Sequence, residues 1–280
     1  FKDGDRQGAR ALLQKALAKD PQNAQLRLAY AGMLSQAGDY AGASKLLAHG
    51  PQNADIYAMR AGLAAHDRDD KALASLYQEL QKAPPEVRES SAYLLGQLAE
   101  MQHREAEALS WYDQVGDADE HAFDADLRSA MILHAQGKRA DAHELLGQLQ
   151  LAYLDQPAQL RQAWQADAEV YLREQNYAKA EVAFSRALQV VPDDPGLLYG
   201  RGLAYAEAGQ IDQAVQDFQH LLKIKPGDVD ASNALGYTLA DANRDLAEAE
   251  RLIRAARSAK PDDPAIADSW GWLQYRMGNL

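Results

Sequence analysis

The side chains with chemistry to offer in this chain are seven histidines and a surplus of carboxylates. No histidine pair has the HExxH spacing of a zinc hydrolase, and no serine has a recognisable base partner. His66 and His134 sit near the ends of predicted helices, where solvated polar side chains are expected. The run from Asp67 to Asp70 lacks the glycine and the distal glutamate of a calcium loop, so it predicts a solvated turn. These patterns predict no enzyme activity, no metal site and no cofactor.

The charge balance narrows the range of partners. The chain has 29 basic and 41 acidic residues, a formal net charge of −12, and no cluster of lysines and arginines. Binding to nucleic acid requires basic side chains that neutralise phosphates, so it is not expected here. An anionic membrane surface would also repel the chain. Cysteine is absent, which excludes disulfides and thiolate zinc sites. The expected partners are therefore proteins.

The segment 194–228 shows the element from which the chain is built. Apolar and small residues recur at helical spacing on both sides of Gly209, and Pro226 follows the second run. Spacing of this kind indicates two short helices joined by a turn. Gly202 and Ala214 leave small-residue slots, where a neighbouring backbone is expected to approach. One such hairpin cannot bury both of its apolar faces alone, so it requires copies of itself on either side.

The copies resemble the tetratricopeptide repeat (TPR), a helical hairpin of about 34 residues. The repeat that follows the TPR signature best carries its aromatic, small and proline positions at Trp164, Ala168, Tyr171, Ala180, Phe184, Ala187 and Pro192. The alanine near the start of each second helix recurs at Ala9, Ala43, Ala72, Ala108, Ala142, Ala180, Ala214 and Ala249. The resemblance implies an all-α, right-handed TPR α-solenoid with about seven full repeats, a half-repeat at each end and about sixteen helices.

The repeats predict a single domain over residues 1–280, interpreted as a fragment of a longer protein because both ends fall within repeats. The predicted repeats are 1–23 (half), 24–54, 55–88, 89–122, 123–160, 161–194, 195–228, 229–263 and 264–280 (half). The interval from Ala43 to Ala72 is short, which predicts a trimmed helix near Gly50. The interval from Ala142 to Ala180 is long, which predicts an added turn around residues 150–159. The alternative is that both irregular intervals are tolerated drift in repeat length.

First helices line the inner wall of a TPR solenoid, so the resemblance also implies a concave groove. Many inward positions are apolar or aromatic although the signature does not require it, which favours a site for a peptide or helix. The alternative is that these side chains pack against neighbouring first helices, and both interpretations stay open. The groove positions are Met59, Leu63, Tyr93, Gln97, Met101, Leu127, Met131, Gln165, Glu169, Arg173, Tyr199, Leu203, Asn233, Tyr237 and Trp272.

A clamp for a peptide C-terminus is not expected. Chaperone-binding TPR proteins hold the terminal carboxylate with lysine and asparagine at fixed positions of their first helices. The matching positions here are Leu28, Met59, Tyr93, Leu127, Gln165 and Tyr199. Because none of them is lysine, an anionic terminus would find no charge partner.

The last segment is more particular than the general signature. Residues 233–280, with ALGYTLAD followed by DSWGWLQYRMGNL, resemble bacterial outer-membrane TPR lipoproteins, most closely the binding partner of a carboxy-terminal processing protease. The resemblance implies a periplasmic adaptor, held by a lipid anchor upstream of Phe1, that brings the protease to its peptidoglycan-hydrolase substrates. Two alternatives stay open. One is a periplasmic TPR segment of an exopolysaccharide export machine that binds a synthase or modifying enzyme, and the other is an enzyme or ligand-binding protein on a helical scaffold.

Overall fold

A computed structural model describes residues 6–279 of the chain. Within this range it contains seventeen helices and no strand, so the predicted all-α class is confirmed. The first five residues and Leu280 belong to the predicted terminal half-repeats and lie outside the described residues. Also within this range, no helix is both long enough and apolar enough to cross a lipid bilayer.

The helices group into two compact units whose boundary falls after Ile132. Unit 1, which ends at Ile132, holds α1 to α8 and most of α9. These helices are α1 (Arg6–Lys19), α2 (Ala24–Gln36), α3 (Tyr40–Leu47), α4 (Ala54–His66), α5 (Asp70–Gln81), α6 (Pro85–Glu89), α7 (Ala92–Met101), α8 (Glu105–Tyr112) and α9 (Ala122–Ala135). Except for α1, the five-residue α6 and α9, they pair as antiparallel hairpins. The prediction of a single domain over the chain stays a prediction.

Unit 2 begins at Leu133, near the end of α9, and contains the more regular helices. These helices are α10 (Arg139–Ala152), α11 (Pro157–Arg173), α12 (Tyr177–Val190), α13 (Pro195–Glu207), α14 (Ile211–Ile224), α15 (Val229–Asp241), α16 (Leu246–Ala259) and α17 (Pro264–Met277). Its four second helices, α10, α12, α14 and α16, have 14 residues each. Unit 2 therefore repeats one hairpin with little change in helix length.

Short polar residues set where the helices begin. The Asp228 side chain accepts a hydrogen bond from the backbone N–H of Ala231 at 3.0 Å, and Asp194 and Asp263 cap α13 and α17 in the same way. Such caps satisfy N–H groups that have no partner inside the helix. The acidic run after α4 does the same, since Asp69 accepts from Ala72 N at 3.0 Å. Residues 67–70 are all exposed, so the predicted solvated turn is confirmed, and it leads into α5.

The core follows the alanine positions read from the sequence. Six of them have no exposed surface: Ala43, Ala108, Ala142, Ala180, Ala214 and Ala249. Ala9 and Ala72 depart from the pattern because they are only partly buried. The glycine slot also differs from the prediction, since Gly202 accommodates a ring rather than a backbone. A Cβ atom at Gly202 would lie 2.6 Å from Cε1 of Phe218, which is fully buried.

Aromatic side chains and their hydrogen bonds join neighbouring hairpins in unit 1. Tyr77 is fully buried, and its hydroxyl donates to Glu107 Oε2 at 2.6 Å. The same hydroxyl accepts from the indole N–H of Trp111 at 3.1 Å. Burial and the bond to Glu107 raise the pKa of Tyr77. The phenol therefore stays neutral and links α5 to α8 across the core.

The irregular intervals in the sequence appear as changes in helix length. The helix trimmed near Gly50 is α3, which has 8 residues. The added turn belongs to α11, whose 17 residues exceed the 13 of α13 and α15. The count of about sixteen helices misses α6, a single turn that starts at Pro85 just before α7. Pro84 precedes this turn and Pro85 is its first residue, a position where proline is favoured.

Candidate protein-binding surfaces

A groove of 680 Å³ lies in unit 1 between α4 and α7, and we refer to it as the α4–α7 groove. Its floor on the α4 side is made of small residues: Ala54, Ala58, Ala61, Gly62 and Ala65. Gly62 is exposed, and a Cβ atom built on it would meet nothing within 4 Å. The groove therefore exists because this face of α4 carries almost no side-chain volume.

The opposite side of the groove is formed by longer side chains of α7. Leu94 supplies apolar surface, Leu98 lies behind it in the core, and Met101 is 55% exposed at the end of the helix. The Tyr93 ring stacks on the His121 imidazole with ring centroids 4.4 Å apart. This stack fixes the loop that precedes α9 against α7.

One charged network closes the rim of the groove. Arg128 donates to Glu100 Oε2 at 3.1 Å and to the Tyr93 hydroxyl at 3.3 Å. The buried Tyr112 hydroxyl also donates to Glu100, at 2.7 Å. Burial, and next the bond to Glu100, raise the pKa of Tyr112 well above its usual range. Arg128 is thus paired with groups of the protein itself. Three further acidic residues, Asp55, Asp119 and Glu120, line the groove.

Three predicted groove residues, Tyr93, Gln97 and Met101, do line this groove. Leu63 does not, because it is 6% exposed and packs in the core around Tyr30 and Leu47. Met59 packs against the same core. The predicted groove positions on α4 were wrong by one residue, because α4 and α7 end one residue farther apart than the assumed repeat. Ala58 and Gly62 occupy the places assigned to Met59 and Leu63.

A second surface lies in unit 2 and consists of aromatic rings rather than a cavity. We call it the α15–α17 aromatic surface, and it comprises Tyr237, Asp241, Asp268, Trp272 and Tyr275. Tyr237 is 40% exposed and Tyr275 is 56% exposed. Trp272 stacks on Tyr275 with ring centroids 5.3 Å apart and donates its indole N–H to Asp241 Oδ1 at 3.2 Å. Partial burial, and next the charge of Asp241, raise the pKa of Tyr237.

The other predicted groove residues vary in exposure. Tyr199 and Leu203 are half-buried and pack against the unit 2 core, where Tyr199 meets the Phe218 ring at 5.9 Å. Asn233 is half-buried, and its Oδ1 atom has no hydrogen-bond partner. Gln165 and Glu169 bond to each other at 2.9 Å along α11. Leu127 and Met131 are half-buried, and Arg173 is exposed.

A buried polar cluster in unit 2 involves two of the histidines. His143 pairs through Nδ1 with Asp167 at 2.6 Å and through Nε2 with Glu174 at 3.2 Å. His134 lies 3.5 Å from Glu174 and its side chain is 14% exposed, so the predicted solvated position was wrong. Both ring nitrogens of His143 therefore contact carboxylates of α11 or its C-terminal end. Among residues 6–279 there is no group of three or more potential ligands placed to hold a metal ion.

Several groove residues were not foreseen from the sequence. Ser90 and Ser91 lie between α6 and α7, and Asp119 to His121 lie in the loop before α9. Neither segment has helical periodicity, so the repeat register said nothing about its position. One signal in the sequence could have pointed to the loop residues, namely the extra length between Tyr112 and Ala122. Residues that lie outside the hairpins must pack over a face of a neighbouring hairpin.

Two sequence models described as Tetratricopeptide repeat match the chain, one at residues 168–235 and the other at residues 1–66 and 205–269. Together they match more than half of the chain. The TPR repeat-containing protein PA4667 of Pseudomonas aeruginosa is 35% identical over 192 residues. That match covers 69% of this chain and 32% of the relative, so the chain spans about a third of its length.

Solved structures with a similar fold include yeast Tom70, with a TM-score of 0.64 and 16% identity, covering 98% of this chain and 59% of that one. The APC/C hetero-tetramer Cut9–Hcn1 gives a TM-score of 0.56 at 15% identity, covering 97% and 52%. At sequence identities this low, the structural similarity shows only that the fold is shared.

The predicted TPR α-solenoid is confirmed. The chain belongs to the tetratricopeptide repeat proteins and is built as a scaffold for protein–protein interaction.

Proposed function

We propose that this chain is a non-catalytic adaptor that holds two proteins, a carboxy-terminal processing protease and a peptidoglycan hydrolase that the protease degrades. The adaptor works in the periplasm of a Gram-negative bacterium. A lipid anchor outside this chain attaches it to the outer membrane. The chain itself contributes surfaces, and the partner supplies the catalytic residues.

The α15–α17 aromatic surface is the observation that carries this proposal. It is formed by the two C-terminal motifs, at residues 234–241 and 268–280, that resemble the protease-binding lipoproteins. Within these motifs Tyr237 and Tyr275 are exposed, and Trp272 is half-buried at the edge of the unit 2 core. Exposed aromatic rings are the side chains that most often dominate the binding energy of an interface.

The presence of one candidate surface in each unit supports a role with two partners. The α4–α7 groove is a cavity with an acidic rim, and the α15–α17 aromatic surface is an exposed set of rings. Surfaces of such different form suit different partners. An adaptor that binds a protease and its substrate together raises their effective concentration and accelerates cleavage without taking part in the chemistry.

The test uses the double variant Tyr237→Ala with Trp272→Ala in the full-length protein. Each truncated anchor is expected to cost about 2 kcal/mol of binding energy, about 30-fold in affinity. The measurements are binding to the purified protease and to the hydrolase, and the rate of hydrolase degradation with and without the adaptor. Val182→Ala is the matched control, because Val182 is 56% exposed on α12 and lies outside both surfaces.

The proposal expects the double variant to lose one partner and to lose most of the acceleration, with unchanged helicity by circular dichroism. Val182→Ala should behave as the parent. Parent-like binding of both partners by the double variant would remove the aromatic surface from the proposal. If the intact protein binds neither a processing protease nor a peptidoglycan hydrolase, the adaptor role itself is wrong.

A further inference from the structure

We infer that the α4–α7 groove binds a lysine or arginine side chain presented by an apolar segment of a protein partner. The inference rests on the proposed function, because it names the chemistry that one partner brings to unit 1. It follows from three features of the groove: its bare floor, its unbalanced acidic rim and a buried hydroxyl without a partner.

The floor of the groove fits an aliphatic stem. Ala58, Gly62 and Ala65 give α4 a face without long side chains, and Leu94 and Met101 of α7 add apolar surface opposite. Lysine and arginine bury their methylene stems along apolar surface while their charged ends stay near polar groups and water. A groove of 680 Å³ has room for such a stem together with neighbouring apolar side chains.

The rim of the groove favours a cation. Asp55, Asp119 and Glu120 line it, and among the described side chains no lysine or arginine forms an ion pair with them. Arg128, the one guanidinium that lines the groove, is already paired with Glu100. Glu120 lies 4.0 Å from the His121 imidazole, and within residues 6–279 neither Asp55 nor Asp119 has a basic partner beside the apolar floor. That arrangement attracts positively charged segments and disfavours acidic ones.

Ser91 adds an unused polar group. The residue is 3% exposed, lines the groove, and its Oγ atom has no hydrogen-bond partner in the described structure. Buried hydroxyls are normally hydrogen-bonded, because leaving one unpaired loses the bond that water would have made. The Ser91 oxygen can accept a hydrogen bond, and an ammonium or guanidinium group is a hydrogen-bond donor.

The test uses three fluorescein-labelled peptides in which leucine alternates with arginine, glutamine or glutamate. Fluorescence anisotropy measures their affinity for the full chain at two salt concentrations. We expect the arginine peptide to bind at least about tenfold more tightly than the glutamine peptide. The glutamate peptide should bind most weakly. Higher salt should narrow the difference, since screening weakens attraction between exposed charges.

Gly62→Leu fills the groove without a predicted clash, since no atom lies within 4 Å of a Cβ at that position. It should weaken the arginine peptide at least about tenfold. Gly147→Leu on α10 of unit 2 is the matched control, because a Cβ there also meets nothing within 4 Å. Gly147→Leu adds the same side-chain volume to a helix outside the groove, so it should leave the affinity for the arginine peptide unchanged. A second variant, Asp119→Asn with Glu120→Gln, should weaken the arginine peptide several-fold and reduce its salt dependence.

Three results would overturn the inference: equal binding of the three peptides, parent-like binding by Gly62→Leu, or equal loss in Gly62→Leu and Gly147→Leu. The second of these would mean that cationic peptides bind the acidic chain without using the groove. The adaptor proposal is judged separately by capture of the protease and hydrolase. A chain that binds the arginine peptide through Gly62 but captures neither enzyme supports the groove chemistry and removes the adaptor role.

Discussion

Unit 1 and unit 2 use the same helical hairpin but end their second helices at different points. In unit 1, α3 and α8 have 8 residues each, whereas every second helix of unit 2 has 14. After α8 stops at Tyr112, the chain runs through residues 113–121 before α9 begins. Part of that segment becomes the rim of the α4–α7 groove. An early helix end thus supplies the residues that make a binding cavity.

The packing inside the hairpins is the same in both units, so it does not explain the difference. Gly96 of α7 faces the Tyr112 ring, and Gly202 of α13 faces the Phe218 ring. A Cβ atom on either glycine would come within 2.6 Å of the ring. The comparison teaches that the repeat sets the core in both units, while part of the rim of the α4–α7 groove comes from a segment between helices.

The two units also bury their ion pairs to different depths. Arg60 and Glu79 of unit 1 form two hydrogen bonds of 2.8 Å, but the Glu79 side chain is 41% exposed. Arg201 and Asp217 of unit 2 form bonds of 2.7 and 2.8 Å, and the Asp217 side chain is 9% exposed. Substitutions in these two pairs test whether the ion pair of unit 2 contributes more to the free energy of unfolding than the ion pair of unit 1.

The largest effect is expected from Asp217→Ala. It leaves the Arg201 guanidinium largely buried without its carboxylate, which costs about 3–5 kcal/mol in comparable buried pairs. Urea unfolding measures the loss, and hydrogen exchange should show it concentrated in α13 and α14, since repeats transmit strain mainly to their neighbours. Adding Arg201→Met should recover most of the stability. A loss below about 1 kcal/mol would show that the pair is not buried in solution.

The next effect is overpacking at the alanine seam of unit 2. Ala214 and Ala180 have no exposed surface, so Ala214→Leu or Ala180→Leu should cost about 1–3 kcal/mol in urea unfolding. Gly62→Leu in unit 1 makes the contrasting change, because it adds a side chain where space is open. It should leave stability unchanged or slightly raised, since leucine favours helix over glycine. Equal losses at the three sites would contradict the assigned register.

The smallest effect is expected from Glu79→Gln in unit 1. The bond from Arg60 lowers the pKa of Glu79, so its contribution is present above the unfolded value of about 4.3 and is lost as the pH falls through the lower folded value. The half-exposed position keeps this contribution below about 1 kcal/mol. Urea unfolding should show a difference between parent and variant at pH 7 that shrinks as the pH falls below about 4. A difference that does not change with pH would assign the effect to packing instead.

Much of the fold could be predicted because the hairpin repeats a local pattern. The buried alanines from Ala108 to Ala249 mark the second helices, and Gly209 and Gly137 end first helices with positive φ, as turn residues should. Local periodicity decides these features, so one sequence is enough. The identity of each hairpin as part of a solenoid followed from the inability of one hairpin to bury two apolar faces.

The candidate groove could be predicted only in part, because it depends on residues that break the repeat. The α7 positions Tyr93 and Gln97 were found, but a change of one residue in spacing moved the α4 positions from Leu63 to Gly62. On a helix, one residue is about 100° of rotation, which turns a groove position into a core position. The rim residues and Ser91 lie in irregular segments, where periodicity carries no information about direction.

The hydrogen bond from Trp111 to Tyr77 has a practical consequence for studying the molecule. The chain has four tryptophans, and Trp111 is the one in unit 1, since Trp164, Trp270 and Trp272 all belong to unit 2. Replacing those three with phenylalanine leaves a single fluorophore whose emission reports the junction between α5 and α8. The emission of Trp111 shifts to the red when water reaches the ring, so it measures the rate at which the α5–α8 junction opens in the intact chain. Circular dichroism then follows the unfolding of the remaining helices.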